Sequence, residues 1–166
     1  MYETMVSYVM VEHLFGHVFD PPEGPLGYTR LLSRQRRPYR TLDGYLAVLP
    51  YLNEHWRTFC EAAGHAELVD DPRFTSLGAR LAHIDDVYAE TGRILATKTT
   101  AEWLEILGRT NVPMMIVNTL DDLLHDEHLV HAGFWRRIQR RHVGEHVVPK
   151  APYDIDGQAP GIRTPA

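Results

Sequence analysis

Ten histidines are spread along the 166 residues, and two groups have spacings that could bring ring nitrogens together. His13 and His17 stand i, i+4, a separation that lets two imidazoles on a helix bind one metal from the same face. No glutamate follows His13 directly, so the H-E-x-x-H pattern is absent. His125, His128 and His131 stand i, i+3, i+6, but Asp126 and Glu127 lie among them and the stretch reads as a solvated surface. No cysteine pair supports a metal at either place, and none is expected. Ser7, Ser33 and Ser76 lie in no nucleophile elbow or triad context. Asp70-Asp71 and Asp121-Asp122 are paired carboxylates, but Asp71 precedes Pro72 in a turn, and the second pair suits the first turn of a helix. Neither a P-loop nor a G-x-G-x-x-G motif occurs. The single cysteine, Cys60, falls on an apolar helical face and reads as a buried, inert thiol that fits a reducing compartment. No catalytic residue is assigned within the chain.

One stretch keeps a functional character. Leu49, Pro50, Tyr51, Leu52, Asn53 and His55 lie where a strand end meets a helix start. Free backbone N–H groups at a helix N-terminus can receive an anionic or carbonyl oxygen. Asn53 also fits a plain N-cap.

The elements that must position this stretch are legible around it. Pro38-Tyr39-Arg40-Thr41 and Tyr45–Leu49 read as two strands, and Asp43-Gly44 between them predicts a two-residue type I′ turn. Pro50 ends the second strand. Trp56, Phe59, Cys60 and Ala63 then repeat at helical spacing, and Gly64 predicts the stop. Upstream, residues 1–17 predict an unusually apolar helix that needs a large surface to bury against. Residues 18–36 read as a Pro-, Gly- and Arg-rich crossover. Downstream, Ala66–Val69 predicts one helical turn, and Phe74 an isolated anchor after Asp71-Pro72. Residues 79–97 predict one long amphipathic helix. Thr99 with Glu102 predicts a capping box ahead of a helix that buries Trp103, Leu104, Ile106 and Leu107. Val112–Asn118 predicts a buried strand, and Thr119 a cap for a short helix, with a further helical stretch ending at Gly133. Phe134–Ile138 predicts another strand. Residues 142–166 lack a periodic apolar face and read as an extended segment.

The fold class expected is α+β: a small, mainly antiparallel sheet covered by helices, with an N-terminal linker helix and an extended C-terminal segment. The segments drawn are 1–36, 37–141 and 142–166. A formal net charge of −5 argues against nucleic acid, which wants clustered Lys and Arg. The local run Arg136, Arg137, Arg140 and Arg141 reads as a solvated strand edge. No stretch is apolar enough for a membrane span and the first residues lack a signal-peptide n-region, so a cytoplasmic location is expected.

RPYRTLDGYLAVLPYLNEHWRTFCEAAG resembles the class III CoA-transferases (CaiB/BaiF type, including formyl-CoA transferase), which carry roughly P-Y-x-T-x-D-G-Y, a strand, a loop, then Q-W and a helix. LVDDPRF, TTAEWLEILGRTNVPMMIVNTLDDLLHDEHLVHAG and Ala159-Pro160-Gly161 resemble further family segments in the right order. His55-Trp56 stands where the family often has Gln-Trp, and His128 where it often has Pro. Leu49–Asn53 lacks the glycine run that covers the active site of formyl-CoA transferases.

The resemblance implies that the chain is an internal piece of a longer enzyme, containing its small domain. The whole enzyme would move CoA from an acyl-CoA to a carboxylic acid through an aspartyl thioester, with CoA thioester as substrate and no metal or tightly bound cofactor. The nucleophilic aspartate would lie outside this chain, which is expected to be inactive alone. An interlocked homodimer is implied, with Leu49–His55 closing over the partner's active site. An acyl-CoA racemase of the same fold and a non-catalytic binding module are the alternative readings.

Overall fold

The computed structural model describes residues 1–153, 155–157 and 160. The chain divides into two compact units, Met1–Val117 and Asn118–Ala166. This boundary differs from the segments drawn at 36/37 and 141/142. Strand pairing explains it: the strand over Met114–Ile116 pairs back into the first unit, whereas Trp135–Arg140 pairs with a strand that follows it.

In the first unit, β1 (Tyr39–Arg40), β2 (Tyr45–Val48) and β3 (Met114–Ile116) form an antiparallel sheet in the order β1-β2-β3. Leu46 pairs with Tyr39 on one side and Ile116 on the other. Alternation along β2 turns Leu46 and Val48 into the core and leaves Tyr45 and Ala47 exposed. The expected buried strand at 112–118 is corrected: among the described residues β3 has one neighbour only, and Met115 and Ile116 are exposed.

The type I′ turn is also corrected. Arg40 pairs with Tyr45, so Thr41–Gly44 form a four-residue loop, and neither Asp43 nor Gly44 has positive φ. Asp43 and Gly44 answer to a helix instead of to hairpin twist. The Asp43 carboxylate accepts the Thr100 backbone N–H at 2.7 Å and the Thr100 hydroxyl at 2.9 Å. A Cβ on Gly44 would stand 2.9 Å from the Thr100 Oγ1.

Helices cover the sheet's inner face. The helix α1 (Tyr2–His13) buries no residue in the described structure, and a 3-10 turn (Phe15–Val18) and short α2 (Thr29–Leu32) follow. α3 (Asn53–Ala62) buries Trp56, Phe59 and Cys60. Gly64, at φ +79°, ends it as expected, and lets the His65 N–H reach the Cys60 carbonyl at 2.8 Å. Ala66–Val69 makes one 3-10 turn, and Phe74 is fully buried edge-on to Trp56, with ring centroids 5.3 Å apart.

The single long helix expected at 79–97 is two: α4 (Leu77–Ala82) and α5 (Ile84–Leu95), broken at His83. The helical spacing of Arg80, Ile84, Val87 and Thr91 runs across the break, so periodicity gives no sign of it. α6 (Thr100–Leu107) carries the predicted Thr99–Glu102 capping box. It buries Trp103 and Leu107, while Leu104 stays exposed. The Trp103 indole N–H donates to the Leu95 carbonyl at 2.8 Å, tying α6 to the end of α5.

In the second unit, α7 (Leu120–His125) is capped by Thr119 and Asp122, and α8 (Glu127–His131) by Asp126. Gly133, at φ +58°, follows. β4 (Trp135–Arg140) pairs antiparallel with β5 (Gly144–Pro149). Within the segment expected to be extended from 142 onward, residues 144–149 form this strand, because β4 needs a partner for its backbone groups; the alternation in β5 is carried by polar and apolar residues alike. Ala159 and Gly161 of the Ala159-Pro160-Gly161 motif lie outside the described residues. Among those described, no helix is long and apolar enough to cross a membrane.

Candidate functional site

The stretch from Leu49 to His55 joins the end of β2 to the start of α3. The Leu49 N–H donates to the Pro113 carbonyl at 2.9 Å, extending the β2–β3 ladder by one bond. Pro50 has no N–H to continue it. The Tyr51 N–H turns back onto the Leu49 carbonyl at 2.8 Å. Leu52 occupies the N-cap position, where leucine offers no side-chain acceptor, and the first main-chain bond into the helix runs from the Trp56 N–H to the Leu52 carbonyl. The backbone N–H groups of Asn53, Glu54 and His55 therefore point out of the helix end with no acceptor among the described residues. The positive end of the helix dipole lies there.

Asn53 is not the N-cap that its type suggests; this reading is corrected. It stands at the first helical position and its side chain points to Arg80, whose Nη2 donates to the Asn53 Oδ1 at 2.8 Å. The same nitrogen donates to the Tyr51 carbonyl at 3.2 Å, and Nη1 donates to the Phe74 carbonyl at 2.9 Å. Arg80 is only 3% exposed and forms no ion pair among the described residues. Burial lowers its pKa from the ordinary arginine value, as loss of water penalises the charged form. A buried charge without a counter-ion is costly, so its neutral acceptors are essential to it.

A second arginine also braces the loop. The Arg30 guanidinium lies 4.4 Å from the Tyr51 ring centroid, a cation–π contact, and its Nε donates to the Tyr88 hydroxyl at 3.3 Å. The cavity behind the loop, bounded by Tyr51, Arg80 and Tyr88 among others, is only about 20 Å³. That is room for one water molecule. A ligand larger than that does not fit in this cavity. His55 is half-buried, and its Nδ1 is buried without a hydrogen-bond partner among the described residues, as is the Trp56 Nε1.

The other residues singled out by type are occupied locally. His13 accepts the Tyr28 N–H at 3.2 Å and His17 meets the Gly24 carbonyl at 2.8 Å, so the two rings serve different contacts. No group of three potential ligands is assembled for a metal among the described residues. Ser76 caps α4, Ser7 donates to the Thr4 carbonyl, and Ser33 donates to Asp85. Asp71 binds Arg73 at 2.8 Å, which lowers its pKa. Asp122 is held low by the Thr119 hydroxyl and N–H. Cys60 is fully buried, and burial pushes its thiol up to about 12, which leaves it protonated.

Sequence reasoning missed both arginines. Arg80 had a signal, being a charged residue at a core position of an apolar helical repeat. Arg30, in the irregular crossover, had none. Missed too was a groove of about 910 Å³ lined by Arg37, Arg40 and Arg93 with Tyr39, Tyr45 and Tyr88.

Residues 1–166 match CoA-transferase family III along their whole length. The chain belongs to CoA-transferase family III. It is 32% identical over 81 residues, 49% of its length, to the probable fatty acyl-CoA transferase Rv3272 of Mycobacterium tuberculosis, of which that match covers 21%. It is 24% identical over 111 residues to the succinyl-CoA:glutarate CoA-transferase of Mus musculus, covering 67% of this chain and 26% of that protein. A crystal structure of Rv3272 superimposes with a TM-score of 0.67 at 22% identity, covering 95% of this chain and 40% of that one, a likeness of fold alone. The chain thus spans about a fifth to a quarter of the length of the curated relatives it matches. The α+β fold is that of the matched 40% of the Rv3272 chain.

Proposed function

We propose that this chain is the small-domain part of an acyl-CoA:carboxylate CoA-transferase, and that the open N-terminus of α3 within Leu49–His55 receives carbonyl and carboxylate oxygens of the substrates. One observation carries the reading: three adjacent N–H groups, on Asn53, Glu54 and His55, are left without acceptors among the described residues at a helix end.

In the reaction so proposed, a carboxylate outside these 166 residues attacks the acyl-CoA carbonyl and expels CoA thiolate, leaving a mixed anhydride. The thiolate attacks the enzyme's carbonyl of that anhydride, releases the first carboxylic acid as its anion and leaves an aspartyl thioester. The acceptor carboxylate attacks this thioester and expels the thiolate again. The thiolate then takes the acceptor's acyl group and frees the enzyme carboxylate. Each attack places negative charge on a carbonyl oxygen. Fixed backbone donors suit that charge, and losing one such donor typically costs roughly 10²–10³ in kcat. CoA thioester is substrate here and no tightly bound cofactor is invoked. The whole enzyme would be an interlocked homodimer, checked by light scattering on the longer product.

Two measurements test the proposal. The purified chain mixed with acyl-CoA and a carboxylic acid should show no CoA exchange; measurable turnover would refute the assignment of the nucleophile to another part of the enzyme. Titration with a dicarboxylate such as glutarate, followed by amide NMR, should shift Asn53, Glu54 and His55 before other residues. Shifts confined to the Arg37–Arg40–Arg93 groove would place the ligand elsewhere.

A further inference from the structure

Within Leu49–His55, Asn53 is the single residue whose side chain can cap a helix by accepting a backbone N–H. It stands next to the N-cap position, and a shift of the helix start by one residue would make it the cap. Its Oδ1 would then accept the free N–H of His55 and close the site. In the structure that oxygen is taken by Arg80 at 2.8 Å. The Arg80 fork spans Leu52, binding Tyr51 on one side and Asn53 on the other, and it is anchored at its far end by the Phe74 carbonyl. Arg80 is buried and has no carboxylate partner among the described residues, so surrendering Asn53 would leave a charged N–H donor short of an acceptor.

We infer that Arg80 is a positioning residue that keeps the amino terminus of α3 open, by holding the Asn53 carboxamide away from the cap. The inference rests on the reading that this terminus faces substrate, and it adds the device that preserves it. Arginine is required: a lysine ammonium keeps the charge but cannot span Tyr51, Asn53 and Phe74 together with a planar fork.

Amide hydrogen exchange on the 166-residue chain tests this. Arg80→Lys is expected to release Asn53 to the cap and slow exchange at His55 about tenfold, and adding Asn53→Ala to Arg80→Lys is expected to restore the fast rate. A merely structural role for Arg80 would not give that restoration. Equal His55 exchange in the wild type and Arg80→Lys, or slowing that Asn53→Ala leaves in place, would overturn the inference. Should Arg80→Lys fail to fold, Asn53→Ala alone decides. The inference expects His55 exchange within about twofold of the wild type, since no cap is lost, and about tenfold acceleration overturns it. Failure of glutarate to shift any α3 amide in the wild type would refute the substrate-facing reading, while the exchange series still decides the role of Arg80.

Discussion

Two helix starts in the first unit face the same problem and meet it in opposite ways. α6 begins at Thr100 with every resource applied: a Thr99–Glu102 box, and the Asp43 carboxylate on the Thr100 N–H. α3 begins at Asn53 with a leucine at the cap and its one competent side chain turned away to Arg80. α5 also starts without a side-chain cap, but Asp85 and Asp86 in its first turn supply negative charge to the dipole. Glu54, the acidic residue in the first turn of α3, is engaged by the Asn111 amide at 2.9 Å. Closed helix ends hold this fold together. The end of α3, without a side-chain cap as those of α1, α2 and α5 are, would under the proposed function be a local cost in stability at the place where substrate oxygens arrive.

The contrast can be broken or sharpened by substitution. Trp103→Ala should do most damage, since the indole is fully buried and its N–H ties α6 to Leu95; a loss of about 3–5 kcal/mol in chemical denaturation is expected. Gly44→Ala should cost about 1–3 kcal/mol, because the added methyl meets the Thr100 hydroxyl and pushes the Asp43 loop off the end of α6. Leu52→Asp should act in the other direction. A cap at α3 should stabilise the chain by about 1 kcal/mol while abolishing glutarate shifts at Asn53–His55.

Asp43→Asn should have the smallest effect and a readable pH dependence. The backbone N–H and hydroxyl of Thr100 hold the Asp43 carboxyl below its ordinary value. Its contribution is therefore present above the unfolded-state pKa of about 3.9 and is lost as pH falls through the lower folded value. Melting temperatures of wild type and Asp43→Asn should differ near neutrality and converge in that acid range. A constant gap across pH would contradict the carboxylate's role as the helix anchor.

Much of the frame was readable because local chemistry and tertiary role agree there. Trp56, Phe59 and Cys60 repeat at helical spacing and are buried, and Thr99, Thr119 and Gly64 sit where helix ends require them. Legibility failed where a residue's partner is distant in sequence. Asp43-Gly44 has hairpin composition, yet its partner is Thr100, 57 residues from Asp43. Asn53 has cap composition, yet its partner is Arg80, 27 residues away. The β5 strand escaped notice because its period of two is spread over Gly, Glu, His, Val and Pro. The loop was located by its place between strand and helix; its open state was not, since that depends on what Arg80 takes from it.

The most direct test of the account is amide NMR of the wild-type chain and Leu52→Asp during titration with glutarate. The account predicts saturable shifts at Asn53, Glu54 and His55 in the wild type, and their loss in Leu52→Asp as the chain becomes more stable. Shifts at these amides that persist unchanged after a cap is installed, or no shifts there in the wild type, would contradict it.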